Sequence, residues 1–202
     1  MNYYSADFHF GSPNMIDRWD RKASDSEKFD EMIINNINNL LTPHDILYIV
    51  GDVGSYRTST SEKIRQLNCE KQLVIGNHDI SLLKHKSFRD LFEKIGQNMI
   101  IQDGDYRIVL NHYPLAEWEG FYRGNTYHFY AHAHKGNPIM DLLDKAICVS
   151  IDCNNNIPKT ADELINEKKQ ATIQLKPENM NTLEFIKAYQ NGNFGFSKNN
   201  QI

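Results

Sequence analysis

The sequence predicts an α/β fold in which two packed sheets are flanked by helices. Short apolar, β-branched or aromatic runs alternate with segments of helical period in the first half of the chain. Further along, strand-like runs follow one another with no helix between them, which calls for a second sheet, mixed or antiparallel. A set of aspartate, asparagine and histidine side chains falls directly after such runs, at strand carboxyl ends, where open α/β sheets gather ligands.

The elements follow in order. Residues 2–6 read as the first strand and lead into Asp7. Residues 11–23 are polar and loop-like and carry Trp19 and the pair Arg21-Lys22. Ser24, Asp25, Ser26 and Glu27 read as a capping box, and Phe29, Met32, Ile33, Ile37, Leu40 and Leu41 follow at helical spacing. Pro43 ends that helix. Residues 46–50 form a second strand that leaves through Gly51. Residues 60–67 read as a short helix, 73–75 as the third strand and 87–95 as another helix. Residues 99–102 and 106–111 flank Asp103-Gly104-Asp105, a hairpin turn signal. Residues 126–131 and 146–151 add two strands. Thr160 to Glu163 form a second capping box, opening a helix that runs to about Lys169. The expected organisation is one domain over residues 1–170, then an extension over residues 171–202. In that extension Leu183, Ile186 and Tyr189 share a helical face, and a tail rich in Asn and Gly follows.

Composition narrows the function. The chain has 202 residues, enough for one domain with a hydrophobic core. Its 22 Lys and Arg stand against 26 Asp and Glu, a formal net charge of −4, which argues against broad nucleic-acid binding. A small anionic substrate remains compatible, because bound cations invert the local field. Cys69, Cys148 and Cys153 lack paired spacing, which excludes a structural zinc motif and suggests a reducing compartment. The N-terminus enters a strand at once without a signal peptide, and no apolar run is long enough to span a bilayer. A cytoplasmic enzyme with no membrane partner is the expectation; the sequence does not define the oligomeric state.

The strand-end groups are Asp7-Phe8-His9, Gly51-Asp52, Gly76-Asn77-His78, His112 and His132-Ala133-His134. A lone histidine after a strand is usually a surface or core residue, so the weight lies on the set. Five of the eight histidines belong to it; His44, His85 and His128 do not and read as ordinary residues. Asp7 and His9, like His132 and His134, are spaced i, i+2, which on a regular strand places both on one face. Asp52 follows a buried-strand signature and carries a carboxylate able to bridge two cations with its two oxygens. Asn77 adds a neutral amide oxygen. Carboxylate with imidazole suits borderline divalent metals, and two such ions together cleave phosphoesters.

In this order the groups resemble the DxH, GD, GNH, H and GHxH motifs of the calcineurin-like metallophosphoesterase superfamily. The resemblance runs from residue 1 to about residue 168. It is closest to the small single-domain bacterial and phage phosphoesterases, through His112-Tyr113-Pro114, Trp118 and the closing segment from Asp152 to Pro158. There are departures. Ala131 replaces a glycine before the last histidine pair, which tightens the backbone if that residue needs φ > 0. Ser12 stands where the subgroup often has histidine. Val53-Gly54-Ser55 lacks the further acidic residue of phosphoprotein phosphatases.

The resemblance implies a four-layer α/β/β/α sandwich of two mixed sheets flanked by helices. It implies a dinuclear-metal phosphoester hydrolase, foremost a phosphodiesterase on a small or nucleotide-type substrate, with a metal-bridging hydroxide as nucleophile. Asp7, His9, Asp52 and His134 would hold one ion; Asp52, Asn77, His112 and His132 would hold the other. Manganese is the first expectation, with iron, zinc or nickel as alternatives. Asp52 and His78 are the catalytic pair, with His78 near the leaving group. Asp79 either orients His78 or caps the next segment. Expected substrate contacts are Asn77, His78, Trp118 and Arg123. Trp118, Phe121, Tyr122 and Arg123 could stack a base and hold a phosphate, set against simple packing of Trp118 and Phe121 under their loop. Arg21, Lys22 and Arg57 are further candidates for phosphate contacts, with solvated surface charge as the default account. The competing functions are a phosphomonoesterase (nucleotidase or protein phosphatase) and a non-catalytic binding scaffold of the same fold.

Overall fold

Strands β1 (Asn2–Ser5), β2 (Ile46–Ile49), β3 (Glu70–Val74) and β4 (Lys94–Gly96) form one sheet in that order, every neighbouring pair parallel. Strands β5 (Asn98–Asp103), β6 (Tyr106–Asn111), β7 (Thr126–Tyr130) and β8 (Ala146–Cys148) form the other. There β5 and β6 make the expected antiparallel hairpin, and β6, β7 and β8 run parallel. Helices α1 (Asn14–Trp19), α2 (Ser26–Leu40), α3 (Arg57–Arg65), α4 (Lys86–Arg89), α5 (Pro138–Asp141) and α6 (Ala161–Leu175) complete the elements. The computed structural model describes residues 1–55 and 57–175, so the helix expected through Leu183, Ile186 and Tyr189 and the tail after it lie outside the described residues.

The layers follow from strand alternation. Tyr3, Leu47, Ile49 and Leu73 point to one face of the first sheet and meet Phe29, Ile33 and Ile37 of α2 and Ile64 of α3. Their neighbours Tyr4, Tyr48 and Val74 point the other way, onto Ile108, Leu110, Tyr127, Phe129 and Ile147 of the second sheet. Tyr4 stacks on Tyr48 at 5.4 Å and meets Phe129 edge-on at 4.9 Å. A strand buried on both faces explains the unbroken apolar run at 46–50. Ala161, Leu164 and Ile165 of α6 join this central core. Val109, Trp118, Tyr130, Met140 and Ala146 form a third core on the far face of the second sheet. Two four-stranded sheets flanked by helices are the predicted architecture.

Local differences have local causes. Residues 11–23 contain α1, a six-residue helix with Met15 as its one buried residue, too short for an apolar period to register. The cap of α2 is Asp25, whose carboxylate accepts the Lys28 N–H at 2.9 Å, so the capping box at Ser24 is displaced by one residue. The helix expected over 87–95 breaks into α4 and β4. The Glu93 N–H donates to the Lys71 carbonyl and residues 94–96 pair with β3, so sheet bonding outweighs helix propensity there. The second capping box forms: Glu163 accepts the Thr160 N–H at 2.8 Å, and α6 continues to Leu175.

His128 shows what a histidine outside the site does. It is buried on β7; its Nε2 accepts the Leu115 N–H at 3.1 Å, and its Nδ1 lies 3.0 Å from the Val109 carbonyl. Both bonds are met only by the neutral ring protonated at Nδ1. Burial pushes its pKa down to about 4. Its unfolded value is about 6.5, so across that window the unfolded chain takes up a proton the folded chain refuses. The His128 contribution to stability should therefore fall as pH drops from about 6.5 to 4, by about 3 kcal/mol when complete. Raised carboxylates such as Asp30 titrate in the same range with the opposite sign, so the measurement is the difference in urea-unfolding stability between the parent protein and His128→Gln, which should shrink as pH falls.

Candidate metal centre

The carboxyl ends of β1, β2 and β3 meet those of β6, β7 and β8 along one edge. Asp7 and His9 follow β1, Asp52 follows β2, Asn77 and His78 follow β3, His112 follows β6, and His132 and His134 follow β7. Ala6 bridges the sheets there by pairing with Ser150, and within the first sheet the Asp7 N–H donates to the Gly51 carbonyl at 3.0 Å.

These residues do not converge through strand alternation, as the i, i+2 spacing suggested. Asp7 (φ 59°), His9 (51°), Asp52 (57°), His132 (66°) and His134 (52°) all adopt the left-handed conformation. That conformation costs an L-residue about 1–2 kcal/mol and concentrates at functional sites. Each chain turns out of its strand at these points and swings the side chain inward. Ala131 has no positive φ and is fully buried, so replacing glycine there introduces no strain.

Two glycines permit the approach. A Cβ on Gly51 would collide with the His112 ring, and one on Gly76 would collide with the Asp52 carboxylate. Gly51 also needs its φ of +89°. Asp79 locks the two loops together. Its buried carboxylate accepts the N–H groups of Asp52 (2.9 Å), Val53 (2.9 Å) and Gly76 (2.8 Å). Asp79 therefore neither orients the His78 ring nor simply caps a helix. Burial pushes its pKa up to about 6 against those three bonds.

The side chains form three overlapping triads whose ligand atoms lie within 4.8 Å of one another: Asp7, His9 and His134; His9, Asp52 and His78; Asp52, His112 and His132. His9 Nε2 and His134 Nε2 face each other at 3.2 Å. Asp52 Oδ2 lies 3.7 Å from His9 Nε2 and 3.4 Å from His112 Nε2, while Oδ1 accepts the His78 N–H at 2.9 Å. One oxygen of Asp52, rather than both, thus faces the two imidazoles. Asn77 Oδ1 sits 3.1 Å from His112 Nε2. The His78 ring is exposed and meets His9 edge-on at 4.8 Å.

The residues present fit metal ions. Asp7 Oδ2 is buried with no hydrogen-bond partner, a costly state that a cation relieves, and His9 directs its Nε2 into the same cluster. Burial pushes Asp7 up to about 6 and holds His9 down to about 3, so it works against the charged form of each. Burial likewise opposes ionisation of Asp52, but the His112 hydrogen bond and charge outweigh it and hold its pKa low. His112 is raised in turn: burial works against the proton, and Asp52 more than compensates.

Residues outside the motifs orient the ligands. Asp152 Oδ2 lies 2.7 Å from His134 Nδ1, which leaves Nε2 directed into the cluster. Arg21 grips that carboxylate through Nε and Nη2, at 3.0 and 2.9 Å, and donates to the carbonyls of Asp7 and Phe8. Its guanidinium also lies 4.4 Å over the Phe29 ring. Arg21 is thus a buried brace, neither surface charge nor a phosphate contact. Trp19 stacks on His134 at 4.1 Å. In the sequence the loop-like appearance of 11–23 concealed both residues.

The other expected substrate contacts have varied surroundings. Trp118 is buried in the third core, with Phe121 and His128 as its ring partners. Packing under the loop is therefore its observed arrangement. Arg123 is exposed, and its carbonyl accepts Lys145. Lys22 is exposed and paired with Asp20; the Arg57 side chain lies outside the described residues. Tyr113 is half-exposed against the rings of His112 and His132. Ser12 bonds Ser55 at 2.8 Å.

An amide at position 79 would turn an NH₂ toward backbone donors. Asp79→Asn should cost about 2–3 kcal/mol in urea unfolding and weaken divalent-metal binding. A change confined to turnover would instead make Asp79 a partner of His78 alone.

No family model matches the chain. It is 27% identical over 169 residues to an uncharacterized protein of Methanocaldococcus jannaschii, covering 81% of this chain and 88% of that protein. A protein of unknown function from Aquifex aeolicus aligns in structure with a TM-score of 0.67 and 26% identity, covering 83% of this chain and 98% of the other. Weaker alignments reach the nuclease MPE of Pseudomonas putida (TM-score 0.41, 20% identity, 66% and 60% covered) and the phosphoesterase Yfce of E. coli (0.37, 15%, 74% and 77%). The two-sheet architecture is thus shared with the Aquifex aeolicus protein, and the gathered Asp and His side chains form a cluster suited to metal.

Proposed function

We propose that the chain is a dinuclear-metal phosphoester hydrolase, a phosphodiesterase on a small or nucleotide-type substrate, working through a domain of residues 1–170. The observation that carries this reading is the shared Asp52 carboxylate. It belongs to two of the three triads, with one oxygen facing both His9 and His112. In this reading Asp7, His9, Asp52 and His134 hold one ion, and Asp52, Asn77, His112 and His132 hold the second. Manganese is the first choice; iron, zinc and nickel suit the same donors. When bound, two such ions acidify a water and polarise phosphoryl oxygens.

The chain's own residues do the rest. Asp79 fixes the Asp52 and Gly76 turns, so the carboxylate needs no rearrangement to act. Asp152 and Arg21 hold His134 in one tautomer. His78 is anchored by its backbone to Asp52 Oδ1, while its ring faces solvent beside His9. From there it can offer a proton to a departing oxygen or a hydrogen bond to charge developing on the phosphoryl group. The half-exposed Tyr113 ring borders the same rim.

The manganese-loaded protein should hydrolyse a phosphodiester faster than the phosphomonoester of the same leaving group, with chelator abolishing both. The reverse order would make it a monoesterase, and no turnover of either would leave a binding scaffold. Asp52→Ala should lose metal by elemental analysis and all activity. His78→Ala should keep its metal and lose about 10²–10⁴-fold in kcat. Because His78 shares a triad with His9 and Asp52, fewer ions in His78→Ala would instead move it into the ligand set.

A further inference from the structure

Cys148 and Cys153 show no motif in the sequence, yet the fold brings their sulfurs to 3.3 Å. Cys148 ends β8, and Cys153 closes the 3-10 turn Ile151–Cys153 that follows. Asn154 ties the loop shut by donating to the carbonyls of Cys148 (3.1 Å) and Ser150 (2.9 Å). Cys153 is exposed and Cys148 partly so, and both line an open cavity of about 190 Å³ that Lys168 also lines. Cys69, by contrast, is buried in the first core. Among the described residues, no histidine or carboxylate completes a three-ligand metal cluster with the pair, so thiol chemistry is the reading the geometry favours.

The pair is mechanically tied to the metal centre. The Cys153 thiol donates to the His134 carbonyl at 2.7 Å. The residue before it, Asp152, fixes His134 Nδ1 and anchors Arg21. A shift at Cys153 is therefore felt at both ends of the His134 residue, at its backbone carbonyl and at its ring.

We infer that Cys148 and Cys153 are a peroxide-responsive dithiol whose closure to a disulfide loosens the hold of Asp152 on His134. Exposed Cys153, as thiolate, attacks the peroxide O–O bond; one oxygen stays as the sulfenic acid and the other leaves as alcohol or water. The Cys148 sulfur then displaces that hydroxyl, which departs as water, and the S–S bond forms. The two thiols give up two electrons and two protons, and the peroxide is reduced by the same amount. A disulfide is about 2.05 Å long, so the sulfurs must close by a little over 1 Å. That movement draws Cys153 off the His134 carbonyl and shifts Asp152 with it. The thiol chemistry stands alone; its effect on metal binding rests on the function proposed above.

The full chain, reduced and then treated with stoichiometric hydrogen peroxide, tests this. Intact mass should fall by a pair of hydrogens, thiol titration after unfolding should still find Cys69, and dithiothreitol should reverse the change. Manganese affinity by calorimetry should drop at least tenfold on oxidation, and the His134 ring resonances of the metal-free protein should move. The Cys148→Ser/Cys153→Ser double variant should show none of these responses. Oxygen addition to Cys153 without a disulfide overturns the inference, as does a disulfide that leaves the His134 resonances in place. A reduced protein that binds no manganese would count against the proposed function, while mass and His134 resonances would still decide the dithiol.

Discussion

Everything at the sheet edge depends on one buried carboxylate that binds no ligand of its own. Asp79 gathers the N–H groups of Asp52, Val53 and Gly76, and so fixes two loops that arrive from different strands. Those loops approach so closely that only glycine fits at 51 and 76. The clamp and the glycines are two halves of one constraint: the first pulls the turns together, the second lets them touch. With Asp52 held this way, its left-handed backbone and that of four other donors can persist, because the surrounding contacts over-determine them.

The electrostatics of the metal-free protein run in the direction a cation reverses. Burial raises Asp7 and lowers His9, and leaves one polar atom on each without a partner. Asp7 stays unpaired at Oδ2 although it stands in a triad with His9 and His134. A ligand that binds only the folded state stabilises it by mass action, so divalent ions should raise the melting temperature as well as enable turnover.

Much of this was legible in the sequence, and the illegible parts share a cause. The strand-end positions of Asp7, Asp52, His112 and His134 could be read because strands announce themselves by apolar runs and their exits by glycine. The local geometry at those exits could not. Alternation along a strand predicted convergence of the i, i+2 pairs, and convergence occurs, but through left-handed turns that no periodicity encodes. The hydrogen-bond partners of Arg21 and Asp79 were equally hidden, since an arginine in a polar stretch looks solvated until Asp152, 131 positions away, folds against it. Trp118 misled for the opposite reason. An aromatic beside a motif suggests a ligand contact, yet its neighbours in space are Val109, Tyr130 and Met140. The sequence likewise treated the cysteines as unrelated, because a spacing of five acquires meaning only once β8 turns back on itself.

The donors are drawn from both sheets: the His9, Asp52 and His78 triad lies on the first alone, while the other two triads need the second. Asp7 and His134 stand 127 positions apart, and the brace on His134 comes later still, from Asp152. During synthesis, then, the N-terminal parallel sheet could form and bury its helices while the pocket remained half-built. The two ion sites as proposed would be completed only when the second sheet docks, making the ions a late fastener between two preformed halves.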